Sequence, residues 1–219
     1  MSPDLAFHGA VEAAGTDLPN GYSLVLPPAW VRIPLRRGTE QAVLELADRA
    51  CKQLPGDFPR DKVTPYRMEL LRRLRKGAKE AQSGSGLDLY LPGAGSGASI
   101  VAASFIVAEM RMNGGGEVDP VEVLARLVGE GDRTGPFEVA VVDGSVGVRR
   151  EAIAGGGAAV EAELPSRRVD YIVPVPEDPD RWLAVSFSTL GGGDPSDELA
   201  DVLVELFDAV VTTFRWSRT

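Results

Sequence analysis

The sequence is poor in the residues on which much enzyme and extracellular chemistry depends. Of its 219 residues, one is cysteine (Cys51) and one is histidine (His8). A single cysteine can form no internal disulfide, and no Cys/His spacing typical of zinc is present. A serine triad needs an imidazole base, and His8 is the only imidazole. We therefore expect no disulfide framework, no zinc site and no histidine-based catalysis.

Long apolar runs and an excess of positive charge are also missing. No apolar run approaches the ~18 residues that a membrane span needs, and the first residues lack the regions typical of a signal peptide. The net charge is −9, which on average repels nucleic acid and anionic membranes. We therefore expect a cytoplasmic protein without a membrane span and without a nucleic-acid partner.

What the sequence does contain is typical of a folded domain. Hydrophobic residues make up 44% and charged residues 25%, which are ordinary globular values. Residues 1–20 show no clean periodicity, and we interpret them as a flexible tail that includes His8. Residues 21–219 are predicted to form one domain, with a helical insertion at 39–82. The preference for arginine over lysine is typical of GC-rich genomes such as those of actinobacteria.

Three segments have the apolar spacing of helices. Thr39 is predicted to cap a helix over 40–54, in which Cys51 lies on the apolar stripe as a small hydrophobe. Thr64 and Pro65 are predicted to begin a second helix. Asp194 and Pro195 are predicted to begin the last helix, which runs to about Phe214. The expected apolar stripes are Val43, Leu44, Ala47, Cys51 and Leu54; Met68, Leu71, Leu74, Ala78 and Ala81; and Leu199, Val202, Leu203, Leu206, Phe207, Val210, Val211 and Phe214. A further short helix is predicted to begin at Asp119.

The remaining periodic segments are typical of strands, and consecutive strands at the end of the chain predict antiparallel pairing. Asp143-Gly144 predicts a tight hairpin between two of them. Pro174 predicts either an edge strand or a strand end. The predicted strands are 22–26, 87–91, 137–142, 145–153, 168–175 and 182–190. Alternation predicts one shared face for Val169, Tyr171, Val173 and Val175. It also predicts that Leu183, Val185 and Phe187 point inward, with Ser186 and Ser188 on the other face. We predict an α+β fold with a central antiparallel sheet of about six strands and helices on both faces.

A glycine-rich loop follows the strand at 87–91. Gly93 to Ala98 matches the G-x-G-x-x-A pattern of dinucleotide-binding loops. That function would require a helix to open directly after the loop, whereas Ser99–Met110 lacks a polar face. We interpret the loop as a hairpin connection, and we expect no cofactor.

Both ends of the chain resemble a known superfamily. Tyr22-Ser-Leu-Val-Leu-Pro-Pro-Ala-Trp30 looks like the opening of PsbP-like domains. The strand Trp182–Leu190 and the ending Leu-Phe-Asp-Ala-Val-Val-Thr-Thr-Phe-Arg-Trp216 resemble their last strand and terminal helix. The superfamily includes an extrinsic oxygen-evolving protein and a Ran-binding import factor. The resemblance implies an α/β/α sandwich that acts by binding other proteins, without catalytic residues. The helical region at 39–82 departs from it.

The charge distribution supports a first hypothesis, a non-catalytic protein-binding or accessory module. Residues 60–80 carry eight basic and three acidic side chains, and we expect this helix to bind an acidic protein partner. The simpler alternative is that these charges only form the solvent-exposed face of a helix. The expected partner-binding residues are Arg67, Arg72, Arg73, Arg75 and Lys76.

Two other hypotheses stay open. The chain could be a small-ligand carrier or sensor with a pocket between sheet and helices, near Trp30 or Trp182. It could also be a carboxylate-based hydrolase, although no acidic cluster marks a site. We expect no enzyme, no metal and no catalytic residue. A homodimer is possible because an exposed sheet edge can pair with a second copy.

Overall fold

A computed structural model describes residues 18–28, 30–93, 102–111, 137–155 and 164–218. Within these ranges the chain forms three helices and nine strands. The helices are α1 (Thr39–Lys52), α2 (Arg60–Ser83) and α3 (Glu198–Thr212). The strands are β1 (Gly21–Ser23), β2 (Trp30–Pro34), β3 (Gly86–Pro92), β4 (Ala103–Arg111), β5 (Phe137–Val142), β6 (Ser145–Ala154), β7 (Ser166–Val175), β8 (Asp178–Thr189) and β9 (Arg215–Ser217).

Seven strands form one antiparallel sheet in the order β2-β3-β4-β8-β7-β6-β5. This confirms the predicted α+β class and the meander of the last four long strands. The hairpin β5–β6 turns at Asp143 and Gly144, whose φ angles of 44° and 82° suit a turn that needs positive φ at both central residues. A separate two-stranded sheet pairs β1 with β9, so the two ends of the described chain lie together.

Helices pack on both faces of the large sheet. We call one side the α3 face; there Phe105 and Phe187 contact Phe207 of α3. We call the other side the two-helix face; there Ile33, Leu89 and Ile106 pack with α1 and α2. Because side chains alternate along a strand, β4 sends Phe105 to the first face and Ile106 to the second. The sheet is thus the middle layer of three.

Several predicted boundaries were wrong. The first main-sheet strand is β2, beginning at Trp30, whereas Tyr22 lies in the short strand β1. Helix α2 begins at Arg60, and Pro65 lies inside it. Pro65 is the sixth residue of this helix, beyond the first four N–H groups, so it removes one hydrogen bond, the one that would reach the Asp61 carbonyl. Helix α3 begins one turn later than expected: Asp197 caps it by accepting from Ala200 N at 2.7 Å.

The buried stripes also differ from the predicted ones. Met68 is exposed, and Cys51 is only half-buried. On α3 the side chains of Leu199, Val202 and Leu206 are partly exposed. The helix is rotated so that Ala200 and Val204 face the sheet together with Leu203, Phe207, Val210 and Val211. Val and Leu occupy both sides of this helix, so periodicity alone did not fix its orientation.

The structure decides between the two interpretations of Pro174, and it describes part of the segment after the glycine loop. Strand β7, which contains Pro174, lies inside the sheet, so the edge-strand alternative was wrong. Pro174 lies at the register shift near the end of β7, as the strand-end alternative predicts. Residues 103–111 form β4, antiparallel to β3, so no helix covers that part of the segment after the glycine loop. His8, residues 94–101 and the helix predicted from Asp119 lie outside the described residues.

Candidate functional site

Four of the five predicted partner-binding residues hydrogen-bond to carboxylates of α1 or α2, and the fifth lies close to one. Arg67 donates to Asp48 of α1 at 2.8 Å, and Arg75 donates to Glu40 of α1. On α2 itself, Arg72 and Arg73 both donate to Glu69 at 2.7 Å. Lys76 lies 3.6 Å from Glu80. The structure therefore neutralises much of the positive charge that the sequence places on this helix.

The pKa of Glu69 reflects this pairing. Hydrogen bonds from Arg72, and then from Arg73, lower the pKa of this exposed carboxyl to about 2. Arg67 and Arg75 instead link α2 to α1, and so contribute to the packing of the two helices. The side chains of Arg72, Arg73 and Lys76 stay largely exposed, so contact with a partner remains possible for them.

The two tryptophans predicted to line a pocket lie on different faces of the sheet. Trp30 is half-buried on the α3 face, with its ring centroid 5.4 Å from that of Phe105. Trp182 is buried on the two-helix face in a small cluster with Val148, Ile172 and Ala184. The structure does not bring the two tryptophans together.

A cavity of about 750 Å³ lies between α2 and the two-helix face. One wall is the side of α2 that carries Leu74, Gly77 and Ala81, and the other is the sheet surface formed by β3, β4, β8, β7 and β6. This volume falls within the range of about 300–1,000 Å³ typical of small-molecule sites. A pocket between sheet and helix was predicted, but neither Trp30 nor Trp182 is among its described lining residues. Trp182 is the cross-strand neighbour of Met110, which does line the cavity.

Polar side chains line one end of this cavity in two neighbouring cross-strand rows. In the first row, Arg168 of β7 lies opposite Ser188 of β8, which lies opposite Ser104 of β4. In the second row, Asp170 lies between Arg150 of β6 and Ser186 of β8. Directly opposite residues have Cβ atoms about 4.5–5.5 Å apart. We call these six residues the polar strip.

The other end of the cavity is apolar. The next row along the same strands is Ile172, Ala184 and Ala108, and beyond it lies Met110. At a rise of about 3.3 Å per residue, Ser188 and Ala184 are about 13 Å apart along β8. The cavity therefore has a polar end and an apolar end on one continuous sheet surface.

Gly77 explains why there is room on the helix side. It lies in the interior of α2 and lines the cavity. A Cβ atom built at Gly77 would meet nothing within 4 Å. An alanine would therefore fit at this position. Glycine occupies it instead, although glycine costs about 0.5–1 kcal/mol relative to alanine inside a helix. The missing side chain leaves space that the cavity occupies.

The charged side chains around the cavity differ in whether an oppositely charged group lies beside them. Arg73 and Glu80 on the helix side have the partners Glu69 and Lys76. On the sheet side, Arg150 is only 2% exposed and lies across from Asp170. Arg168 is exposed, and no described carboxylate lies within ion-pair distance of it. Arg168 is thus a cation at the polar end that the described part of the chain does not neutralise.

A second polar cluster lies on the α3 face, at the β2–β3 edge. Asp88 is 2% exposed and receives Arg32 Nε at 2.7 Å and Arg32 Nη2 at 3.0 Å. Tyr22 also donates to Asp88, and the hydroxyls of Tyr22 and Tyr90 are 3.0 Å apart. Burial, the nearby Tyr90 and the charge of Asp88 raise the pKa of Tyr22, which keeps its hydroxyl protonated. The members of this cluster hydrogen-bond to one another, and Tyr22 thereby attaches β1 to the sheet.

A third cluster connects α3 to β6 and β7 through ion pairs. Arg149 donates to Asp208 and to Glu151, each at 2.8 Å, and Tyr171 donates to Asp208 at 2.9 Å. Arg167 donates to Glu151 and to Asp201, each at 2.6 Å. Each carboxylate here has an arginine partner, so the cluster stabilises the docking of α3.

Neither a group of metal-binding side chains nor a buried pair of acids is present in the described ranges. Among the described residues, no group of three or more His, Cys, Asp or Glu side chains could hold a metal ion. The fully buried carboxylate in the same ranges is Asp88, so the described chain contains no buried pair of acids for a hydrolase. No helix in the described part is long and apolar enough to cross a membrane.

The residues of the polar strip were not predicted as a site, but the sequence contained a signal. Ser186 and Ser188 alternate with Val185 and Phe187, so they were correctly placed on the opposite side of the strand. Arg168 and Asp170 alternate in the same way with Val169 and Tyr171. A surface covered by a helix is usually apolar, so polar residues at these positions could have indicated a lined cavity. The pairing of strands was needed to place them together.

The chain was also compared with known proteins. No protein-family model matches it, and no curated protein sequence matches it significantly. The resemblance to PsbP-like domains therefore stays a prediction that rests on the residues quoted above.

Proposed function

We propose that this protein is a small-ligand-binding module and that its site is the cavity between α2 and the two-helix face. The observation that carries the proposal is the combination of a cavity of about 750 Å³ with Gly77 on its helix wall. A helix that only covers a sheet would bury side chains at this position. Here an interior helix position has no side chain, and polar residues lie on the sheet opposite.

The lining supports binding of a molecule with both polar and apolar parts. Typical ligand sites are mainly apolar, with a few polar groups that fix the ligand's orientation. The cavity has this composition, because Leu74, Ile106 and Ile172 line it together with the polar strip. A carrier or a sensor would both use such a site, and both are consistent with an expected absence of catalytic residues.

Blocking the cavity from Gly77 tests this proposal. Thermal denaturation would be followed with a panel of small metabolites for the unmodified protein, for Gly77→Phe and for Gly77→Ala. We expect some compounds to raise the Tm of the unmodified protein and of Gly77→Ala, but not of Gly77→Phe, because a phenyl ring at this position occupies the cavity. The proposal fails if no compound raises the Tm, or if the shift persists in Gly77→Phe.

A second candidate function is the docking of an acidic protein through α2. The specific observation in its favour is that Arg72, Arg73 and Lys76 stay largely exposed although each has an acidic neighbour. An acidic partner could take the place of these intramolecular contacts. Pull-down from the native host with the triple variant Arg72→Glu, Arg73→Glu, Lys76→Glu tests it. Unchanged partners would exclude this surface.

A further inference from the structure

The cavity's ligand can be defined further from the charges and the polarity of its wall. We propose that it is an amphiphilic monocarboxylate, with its acid group at the polar strip and its hydrocarbon part toward Met110. This inference rests on the proposed function, because it identifies the class of ligand for the same cavity.

The sign of the ligand's charge follows from the sheet side of the polar end. Arg150 and Asp170 are cross-strand neighbours of opposite charge, so together they add no net charge there. Arg168 adds one positive charge for which the described residues provide no carboxylate. Because a guanidinium binds a carboxylate through charge-assisted, often bidentate hydrogen bonds, the polar end favours an anion over a neutral or cationic group.

The magnitude of the charge favours a carboxylate over a phosphate. On the helix side, Arg73 and Glu80 carry opposite charges, and their respective partners Glu69 and Lys76 are already in place. The described residues that line the cavity therefore carry a net positive charge of about one. A carboxylate carries one negative charge, whereas a phosphate monoester carries close to two at neutral pH and would leave about one charge unbalanced.

The serines of the polar strip add neutral hydrogen-bond donors around the same position. Ser188 lies directly opposite Arg168, and Ser104 lies directly opposite Ser188. All three side chains line the cavity. A carboxylate has two oxygens with several acceptor positions, so hydroxyl donors beside a guanidinium can satisfy the positions that the arginine leaves open.

The apolar end determines the rest of the ligand. From the polar strip toward Met110 the sheet presents Ala108, Ala184 and Ile172. Burial of hydrocarbon on these surfaces is favourable, because it removes apolar area from water. A medium-length alkyl chain attached to the carboxylate matches this separation of polar and apolar surfaces, whereas a compact hydrophilic acid would leave the apolar end without a contact.

Titration calorimetry with decanoate, decanol, decylamine and decyl phosphate tests the ligand class on the full chain. We expect decanoate to bind most tightly, and Arg168→Gln to weaken decanoate by about tenfold, equivalent to about 1.4 kcal/mol, while changing decanol by less than about twofold. Arg72→Gln is the matched control, because Arg72 is also an exposed arginine but does not line the cavity; it should leave decanoate binding unchanged. Arg168 is exposed, so Arg168→Gln is expected to fold.

The possible results separate this inference from the proposed function. If decanol, decylamine or decyl phosphate binds as tightly as decanoate, or if Arg168→Gln leaves decanoate unaffected, the monocarboxylate class is overturned. The cavity still binds ligand in that case, provided that Gly77→Phe abolishes binding of the same probe. If no probe and no compound of the metabolite panel binds the unmodified protein, the ligand-binding function itself is overturned.

Discussion

The two faces of the large sheet belong to the same strands but are packed differently. On the α3 face, aromatic rings fill the space between sheet and helix: Phe207 lies 4.8 Å from Phe187, 5.6 Å from Phe105 and 5.9 Å from Tyr171, measured between ring centroids. On the two-helix face, α1 and α2 cover the β2 and β3 side, and a cavity separates α2 from the neighbouring strands. The first face is closely packed, whereas the second contains the cavity that the proposed ligand would occupy.

The largest effect should come from emptying the α3 face. Phe207→Ala removes a buried ring that contacts three other rings, and we expect it to lower the free energy of unfolding by about 3–5 kcal/mol. Leu74→Ala should cost less, about 1 kcal/mol, because Leu74 is only half-buried and has the open space of the cavity beside it. Urea denaturation of both variants measures the difference. Equal costs would mean that the two faces contribute equally to stability.

Ion pairs offer a second way to compare the faces. Arg32→Gln on the α3 face leaves the buried Asp88 carboxylate without its cation, and we expect a loss of about 2–3 kcal/mol. This is below the usual cost of breaking a buried pair, because 59% of the Arg32 side chain is already exposed. Arg72→Gln on α2 should cost clearly less, because exposed ion pairs contribute little to stability. A similar loss in both variants, measured by urea denaturation, would contradict this distinction.

A carboxylate on the α3 face, Glu151, should make the stability depend on pH. Burial raises the pKa of Glu151, but hydrogen bonds from Arg149 and Arg167 outweigh it, so the pKa lies below its ordinary value. A lowered folded-state pKa stabilises the protein above the ordinary glutamate value of about 4.3. That contribution is lost as the pH falls from there through the lowered pKa.

Replacing Glu151 tests this dependence. Glu151→Gln should cost about 1.5 kcal/mol at pH 7, the range for hydrogen bonds to charged groups, and clearly less near pH 2. Glu80→Gln on α2 serves as the control and should have little effect at either pH, since Glu80 is exposed and lies 3.6 Å from Lys76. Thermal unfolding of both variants across this pH range provides the measurement. A constant cost for Glu151→Gln at all pH values would disprove the linkage.

The smallest effect concerns the helix that borders the cavity. Gly77→Ala should stabilise the protein by about 0.5–1 kcal/mol, because alanine is the better helix former and its Cβ meets nothing within 4 Å. Urea denaturation would detect this gain. A loss of stability instead would mean that α2 lies closer to the sheet than the cavity allows.

The strands were more predictable than the ends of the helices. Alternation along 168–175 correctly placed Val169, Tyr171, Val173 and Val175 on one buried side, because a residue period of two leaves only two choices. Helix boundaries depend on capping contacts: Asp194 was predicted to cap α3, whereas Asp197, three residues later, caps it. The sequence could not decide between them, since Asp194 also accepts from the backbone, at Ser196 N.

The candidate site was only partly predictable for a related reason. The sequence predicted a pocket between sheet and helices, and it placed Ser186 and Ser188 on the side away from the aromatic core. It did not predict that Arg150, Arg168 and Ser104 would lie beside them. These residues are up to 84 positions apart in the chain, and only the strand order β6-β7-β8-β4 brings them together.

The sequence by itself determined the α+β class, the antiparallel pairing of the later strands and the amphipathic helices, because these follow from local periodicity and turn chemistry. Tertiary structure decided which charges are paired and where the cavity lies. The arginines of α2 found partners on α1 and α2, and Arg168 came to lie beside a cavity that Gly77 helps to keep open. Both outcomes depend on long-range contacts, which local patterns do not specify.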